Sequence, residues 1–258
     1  MAADRPPLTA RSVVASTLLG VEPPRLTTRI LVQSGELFGI AEGTTRVALS
    51  RMVGAGELQP DGDGYRLAGR LLDRQARQSA SRRADIKAWD GSWELVLVRT
   101  GGARRAADRA ALRHALGSLR LAELREGVWL RPANLPADRT PEARAVADRQ
   151  CLWAPRTALA PAPDPGDLWD LRAWAADARA LQHEIAGLLP RFDAGDTGAL
   201  GVGFVASAAV LRLLQRDPLL PPSLRPPDWP GDALRHDYDR YDAAYRAVWR
   251  DWFRRQRP

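Results

Sequence analysis

Few residues in this 258-residue chain can bind a metal ion or form a disulfide. It has one cysteine, Cys151, and three isolated histidines, His114, His183 and His236. An internal disulfide needs two cysteines, and a zinc-type site needs several Cys or His ligands close together. The sequence therefore predicts neither a disulfide framework nor a metal site of this kind.

Long apolar runs are also missing. No run approaches the roughly 20 residues that a membrane span requires, and the first seven residues lack the basic flank and apolar core of a signal peptide. Hydrophobic residues make up 45% and charged residues 27% of the chain, as in folded soluble proteins. We therefore expect a cytoplasmic protein with no membrane partner, and the length predicts two or three domains.

Lysine is nearly absent, because Lys87 is the one lysine among 38 basic residues. The net charge of +7 is unevenly spread: +3 in residues 1–85, +5 in residues 86–160 and −1 in residues 161–258. A basic N-terminal region followed by a nearly neutral C-terminal region is compatible with a nucleic-acid-binding part joined to a part with another role, although charge alone identifies no partner.

Two stretches mark domain boundaries. Residues 75–85 are polar and arginine-rich, and residues 154–166 carry four prolines, a density that stops helices and sheet ladders. We predict an α+β multidomain chain with domains at 1–85, 86–160 and 161–258.

The first domain follows the order helix, helix, short turn at Gly39, helix and hairpin. The third helix, within residues 43–53, is the most informative, because positions 45, 48, 49, 52 and 53 form an apolar stripe at helical spacing. The side chains left facing out are Thr44, Arg46, Val47, Ser50 and Arg51. This order and this face predict a winged helix-turn-helix.

A single helix fits the major groove and presents its outward side chains to base edges. Arg46 and Arg51 each offer two donors to guanine, Thr44 and Ser50 reach bases or phosphates, and Arg66 on the hairpin lies along the backbone. With Val47, these residues form the predicted DNA-binding set. The same face is also compatible with a helix that is merely solvated, so both interpretations stay open.

The central domain alternates in the order strand, helix, strand, strand, helix, strand, within residues 93–154. The βαββαβ order is that of a ferredoxin-like sandwich. Arg105, Arg109 and Arg113 share one face of its first helix, which either contacts DNA phosphates or is simply solvated.

The last domain is predicted to be all-α. Asp167 is expected to cap its first long helix, and residues 200–214 are expected to form its buried centre. An aromatic stripe on the closing helix, from Leu234 to Trp252, is typical of a core or a dimer interface.

Four segments together resemble the phenylacetic-acid-degradation repressor family, the PaaX-like transcriptional regulators. They lie at residues 46–53, 89–93, 127–132 and 216–231, in order across nearly the whole chain. The resemblance implies a homodimeric repressor that binds double-stranded operator DNA and is released by an aryl-CoA thioester such as phenylacetyl-CoA.

For the effector site, the resemblance draws attention to Trp129, in a matched segment, and to Arg212, beside the apolar helix. Relatives often carry a histidine a few residues before this arginine, whereas residues 206–209 here are Ala, Ser, Ala and Ala. If that histidine belongs to the effector pocket of the relatives, this member senses another thioester or none.

Two other classes of function, a nuclease and an adaptor, are compatible with parts of this pattern. A metal-dependent nuclease needs carboxylates at its metal, but the first central strand ends in Leu97, Val98, Arg99 and Thr100, and Asp237, Asp239 and Asp242 spread around a helix. We therefore predict no catalytic residues and no enzyme. An adaptor that uses the winged helix for protein contacts is the second alternative, distinguished by its lack of salt-dependent DNA binding.

Overall fold

The computed structural model describes residues 8–99 and 105–255. It is a mixed α+β structure with helical N- and C-terminal parts and a central sheet domain. Among the described residues, one compact unit holds 8–78, 186–205 and 240–255, and the other holds 79–99, 105–185 and 206–239. We refer to these as the first and the second unit.

Four helices and a small sheet form the N-terminal part of the chain, which belongs to the first unit as far as Gln78. The elements are α1 (Ala10–Leu19), β1 (Arg25–Thr27), α2 (Thr28–Leu37), α3 (Glu42–Gly54), β2 (Leu58–Asp61), β3 (Gly64–Leu67) and α4 (Arg70–Arg82). The sheet order is β1-β3-β2, with both pairs antiparallel. Buried Val14, Leu18, Leu31, Leu49 and Met52 lie at the centre of its core.

Local signals explain where these helices begin and end. The Thr9 side chain accepts the Ser12 N–H at 3.1 Å and Ser12 Oγ accepts the Thr9 N–H at 2.9 Å, a reciprocal cap that fixes the start of α1. Gly39 has φ of 72° and supplies the left-handed turn between α2 and α3. The predicted helices and hairpin are confirmed. The short strand β1 was missed, because three residues are too few to show an alternating pattern.

The central sheet lies in the second unit. Its elements are β4 (Trp93–Val98), α5 (Ala106–Ser118), β5 (Ala122–Arg125), β6 (Val128–Pro132), α6 (Pro141–Asp148) and β7 (Cys151–Thr157). The sheet order is β5-β6-β4-β7, and every neighbouring pair is antiparallel. The predicted element order is confirmed. The sequence predicts the first helix of this domain over residues 104–116, of which Arg104 lies outside the described residues.

The C-terminal part is helical: α7 (Pro165–Leu168), α8 (Leu171–Asp193), α9 (Leu200–Leu214) and α10 (Gly231–Arg255). The prediction that Asp167 caps the long helix is wrong. Trp169 is extended, with φ of −132° and ψ of 141°, so the helix restarts after it, and Asp170 accepts the Ala173 N–H at 2.9 Å. The polar stretch at 75–85 is helical as far as Arg82.

Helix α9, which we expect to form the buried centre of its domain, is fully buried along one face. Gly203, Ala206, Val210 and Leu214 form its buried stripe, whereas Val202 is exposed. Residues 197–214 are long and apolar enough to cross a membrane by composition, with 44% of them buried. Because core helices of soluble proteins pass the same test, this is a weak signal that does not indicate a membrane protein.

The aromatic stripe of α10 is largely core. Tyr238, Tyr241, Tyr245 and Trp249 are buried, and Tyr241 and Tyr245 each meet the Phe192 ring edge-on, with centroids 5.5 and 5.4 Å away. Such edge-to-face aromatic contacts add to the energy of burial.

Candidate nucleic-acid interface

Helix α3 has the two faces that its sequence predicts. Thr45, Leu49 and Met52 are buried on its underside. The outer face carries the exposed side chains of Thr44, Arg46, Val47, Ser50 and Arg51. The predicted exposure of these five residues is confirmed.

A close approach of α2 fixes the position of α3. A Cβ atom at Gly35 would overlap the hydroxyl of Thr45, so glycine is the residue that allows the two helices to pack at this distance. The Ile40 N–H also donates to the Gly35 carbonyl at 2.9 Å. The turn and the helix pair therefore hold α3 rigidly.

The two arginines of the outer face differ in their surroundings. Arg46 Nε donates to Glu42 Oε1 at 2.7 Å, one helical turn earlier. Arg51 has no hydrogen-bond or ion-pair partner in the described part of the chain. Arg51 thus presents its full guanidinium to solvent, whereas Arg46 must give up part of its ion pair to reach another acceptor.

The hairpin beside α3 carries the remaining predicted residue, Arg66. It is exposed on β3, the middle strand. Arg25 on β1 binds Asp63 Oδ1 at 2.9 Å and the Asp61 carbonyl at 3.1 Å, which ties the first strand to the hairpin turn. These bonds fix the hairpin that presents Arg66.

A buried carboxylate near α3 escaped the sequence analysis. Glu57 accepts Arg11 Nε at 2.9 Å and Arg11 Nη2 at 2.6 Å, and it also accepts Arg70 Nε at 2.5 Å. The hydrogen bond from Arg11 holds the pKa of Glu57 below its ordinary value against the opposing effect of desolvation, and Arg70 adds to this lowering. The same hydrogen bond raises the pKa of Arg11. No spacing rule relates positions 11, 57 and 70, so only the fold brings them together.

The two predicted effector residues are placed very differently. Trp129 on β6 is buried in the core of the central sheet with Val96, Leu112 and Leu116. Arg212 on α9 is exposed. Neither lines the large cleft of the second unit, which has a volume of about 1070 Å³.

This cleft lies between α7, the start of α8 and the loop before α10. Its walls include Leu168, Leu224, Pro226 and Trp229, and Trp229 stacks on Trp174 with centroids 4.6 Å apart. Its cations are Arg172, Arg179 and Arg225, beside Asp164, Asp167, Asp170 and Asp228. The cleft thus combines the apolar walls of a small-molecule site with three cationic and four anionic side chains.

A second buried carboxylate lies in the second unit. Asp217 Oδ2 pairs with Arg235 Nη2 at 2.7 Å, and its Oδ1 accepts the Leu219 N–H at 2.9 Å. Nearby, Arg120 donates to Ser81 Oγ at 3.1 Å and to the Leu214 carbonyl at 3.3 Å. Desolvation lowers the pKa of Arg120 to about 10, so it remains charged at neutral pH.

The acidic residues that we weighed for metal binding serve as separate partners. Asp237 accepts Gln182 Nε2 at 2.7 Å, Asp239 pairs with Arg82 at 2.7 Å, and Asp242 pairs with Arg246 at 2.8 Å. Within residues 8–99 and 105–255, no group of three His, Cys, Asp or Glu side chains is placed to hold a metal ion. Thr100, at the end of the first central strand, lies outside the described residues.

The basic stripe of α5 is exposed at Arg105, Arg109 and Arg113. Arg113 pairs with Glu123 at 3.3 Å. A contact of this stripe with DNA stays a prediction.

Comparisons with known proteins give the class of the molecule. Three family models match in chain order: a PaaX-like protein at residues 9–71, a PaaX protein central Cas2-like domain at 86–151, and a PaaX-like protein C-terminal domain at 169–255. The arrangement is that of a family known as transcriptional regulators. The chain belongs to the PaaX-like family, as its sequence motifs predict.

A solved structure from Mycobacterium tuberculosis, described as uncharacterized protein Rv0674, is similar over nearly the whole length. The two chains are 43% identical with a TM-score of 0.69, and the match covers 93% of this chain and 97% of that one. No curated protein matches.

Proposed function

We propose that this protein is a DNA-binding transcriptional regulator that represses genes by occupying operator DNA. Its N-terminal part is a winged helix-turn-helix, and its central sheet is a ferredoxin-like domain. The order of helices and hairpin supports the first assignment, and the strand order β5-β6-β4-β7 supports the second. The observation that carries the function is the outer face of α3, where Arg51 is exposed beside Thr44, Val47 and Ser50 over a buried underside.

In this mechanism α3 enters the major groove and Arg46 and Arg51 read base edges. A guanidinium donates two hydrogen bonds to O6 and N7 of guanine, the commonest specific contact in protein–DNA complexes. Arg66 on the hairpin contacts the adjacent backbone. The duplex supplies the acceptors that Arg51 lacks within the described residues.

We further propose that the protein acts as a homodimer, with two copies of α3 about 34 Å apart in successive major grooves. An apolar patch on the central sheet supports this. Leu97 on β4 and Leu152 on β7 are register partners and are 37% and 52% exposed. We expect Leu152→Glu to sediment as a monomer where the wild type sediments as a dimer; two identical sedimentation profiles would exclude this surface.

The effector in this proposal is an aryl-CoA thioester, and the cleft in the second unit is its site. The apolar wall at Trp229 suits an aryl group, and Arg172, exposed at the rim, suits a phosphate. An inducer shifts the equilibrium only by binding the DNA-free protein more tightly. In isothermal titration calorimetry, Arg172→Ala should weaken binding of phenylacetyl-CoA, with Arg212→Ala and Trp129→Phe testing the two positions that the family resemblance indicates. If only the latter two weaken binding, the effector site is at Trp129 and Arg212 instead.

The test of the proposed function is recovery of genomic DNA bound by the purified protein. We expect a small set of enriched sites with two-fold symmetry, and loss of enrichment with Arg51→Ala. Arg240→Ala is the matched control, because it removes the same charge from an exposed position on α10. Recovery no better than that from beads without protein would contradict the proposal and favour an adaptor.

A further inference from the structure

The cluster around Glu57 holds two arginines, Arg11 and Arg70, that lie outside the predicted base-reading face of α3. The Glu57 side chain is 1% exposed, whereas those of Arg11 and Arg70 are 49% and 68% exposed. One carboxylate thus fixes two guanidiniums that still face solvent. In the described part of the chain, neither arginine has another hydrogen-bond acceptor, so several N–H donors of each are available.

The backbone around Glu57 is held from two sides. Its N–H donates to the Met52 carbonyl at the end of α3, and its carbonyl accepts the Ala68 N–H just before α4, both at 2.9 Å. The carboxylate is therefore fixed relative to α3, and the two guanidiniums are fixed through it.

These arginines lie beside the outer face of α3. A concave surface of about 630 Å³ is lined by Thr44, Val47 and Arg51 of α3 together with Arg11, Glu57 and Arg70. Its charged groups are three guanidiniums and one carboxylate, an excess of two positive charges. Such a surface attracts an anion that meets α3 from the side.

Duplex DNA supplies this anion. Its backbone places phosphates on both sides of the major groove, and arginine donors at fixed positions bind phosphate oxygens and set the register of the protein. Because Arg11 and Arg70 belong to α1 and α4, not to α3, they suit the backbone beside the groove rather than base edges.

We propose that Arg11 and Arg70 form a phosphate clamp, positioned by Glu57, that contacts a duplex backbone phosphate beside α3. This proposal rests on the proposed function, since it assumes that α3 faces DNA. In the clamp, Arg11 and Arg70 contact DNA, and Glu57 is a positioning residue that contacts only the two arginines.

The experiment measures the affinity of the full chain for a random duplex over a range of salt concentrations. Each phosphate contact contributes about −0.9 to the slope of log affinity against log salt. We expect Arg11→Ala and Arg70→Ala each to reduce the steepness by about 1, and Arg240→Ala to leave it unchanged. Arg11→Lys and Arg70→Lys keep the charge and should retain most of the slope.

The variant Glu57→Gln tests whether Glu57 positions the two arginines or only contributes a negative charge near the DNA. Removing a negative charge beside DNA raises the affinity if Glu57 only repels phosphates. The phosphate clamp predicts the opposite, a loss of affinity, because the two arginines are no longer held. All variants are compared at a temperature where circular dichroism shows them folded, so a merely structural defect appears in the melting temperature and not in the salt slope.

The possible outcomes decide between the two proposals. Wild-type slopes in Arg11→Ala and Arg70→Ala, with weakened binding in Arg51→Ala, would overturn the clamp and leave the proposed function standing. Failure of the wild-type chain to bind DNA would overturn both. Saturable binding of inorganic phosphate that depends on Arg11 and Arg70 and does not compete with DNA would assign the site to a free anion and overturn the clamp.

Discussion

Two buried carboxylates, Glu57 and Asp217, have similar partners and opposite surroundings. Glu57 in the first unit is bound by arginines that are 49% and 68% exposed, whereas Asp217 in the second unit is bound by Arg235, which is 9% exposed. Both acids are themselves almost completely buried. The same kind of ion pair, between a carboxylate and an arginine, thus has an exposed cation in the first unit and a buried cation in the second.

The exposure of the arginine side chains, more than the number of charges, therefore decides whether such a cluster is suited to contact a ligand or to stabilise the fold. An exposed arginine keeps its hydration and its spare donors, so it can exchange water for a phosphate at small cost. A buried arginine has already lost its water and is compensated only by its internal partners. Hence the first cluster is suited to binding and the second to holding the fold.

The largest effect is expected for Asp217→Ala, because it leaves the buried Arg235 without its carboxylate. Removing one partner of a buried pair costs about 3–5 kcal/mol, which chemical denaturation of the full chain measures. Asp232→Ala is the control, since this acid is 67% exposed beside Arg225 and should cost less than about 1 kcal/mol. Equal losses of unfolding free energy in the two variants would mean that burial of the arginine does not set the cost of losing its carboxylate.

The variants Arg46→Ala and Arg51→Ala test whether exposed arginines of the first unit bind DNA. Each is expected to cost about 1–3 kcal/mol of operator binding and to relax specificity at one base position. Because Arg46 is already paired with Glu42, its loss should be the smaller of the two. Fluorescence anisotropy with base-substituted operators measures both quantities, and wild-type affinity in both variants would mean that α3 does not read DNA.

Glu57→Gln should destabilise the protein less than Asp217→Ala. The arginines that it leaves unpaired are exposed and regain water, so we expect a loss of about 1.5–3 kcal/mol, as for a hydrogen bond to a charged group. The same denaturation experiment compares the two variants. A loss as large as that of Asp217→Ala would assign Glu57 a structural role of the same kind.

The smallest effect concerns pH. Because the folded protein holds the pKa of Glu57 below its ordinary value, the Glu57 carboxylate stabilises the folded state fully above the unfolded pKa of about 4.3. This contribution is lost as the pH falls through the lower folded pKa. The stability difference between wild type and Glu57→Gln should therefore shrink as the pH falls below the unfolded pKa of about 4.3 and through the lower folded pKa. A stability difference between the two proteins that grows as the pH falls would contradict this expectation.

Much of the fold was predictable because its elements carry local signals. The reciprocal cap at Thr9, the glycine turn at Gly39 and the apolar stripe of α3 each act within a few residues of the chain. The three-residue strand β1 depends on its pairing with β3, which is distant in sequence, so no local pattern revealed it.

The candidate site divides in the same way. The outward face of α3 follows from helical spacing alone, and the structure confirms its exposure. The cluster of Arg11, Glu57 and Arg70 was missed because α1, the end of α3 and the start of α4 come together only in the folded chain. Trp129 stood out as a motif residue, yet it packs in the core, since a motif does not distinguish packing from binding.

The central claim is that the face of α3 is built to meet a duplex, and a salt titration of the wild-type protein with random double-stranded DNA tests it most directly. The account predicts binding at low salt, and a linear decrease of log affinity with log salt concentration whose slope corresponds to several phosphate contacts. Absence of binding at low salt, or an affinity that does not change with salt, would contradict it.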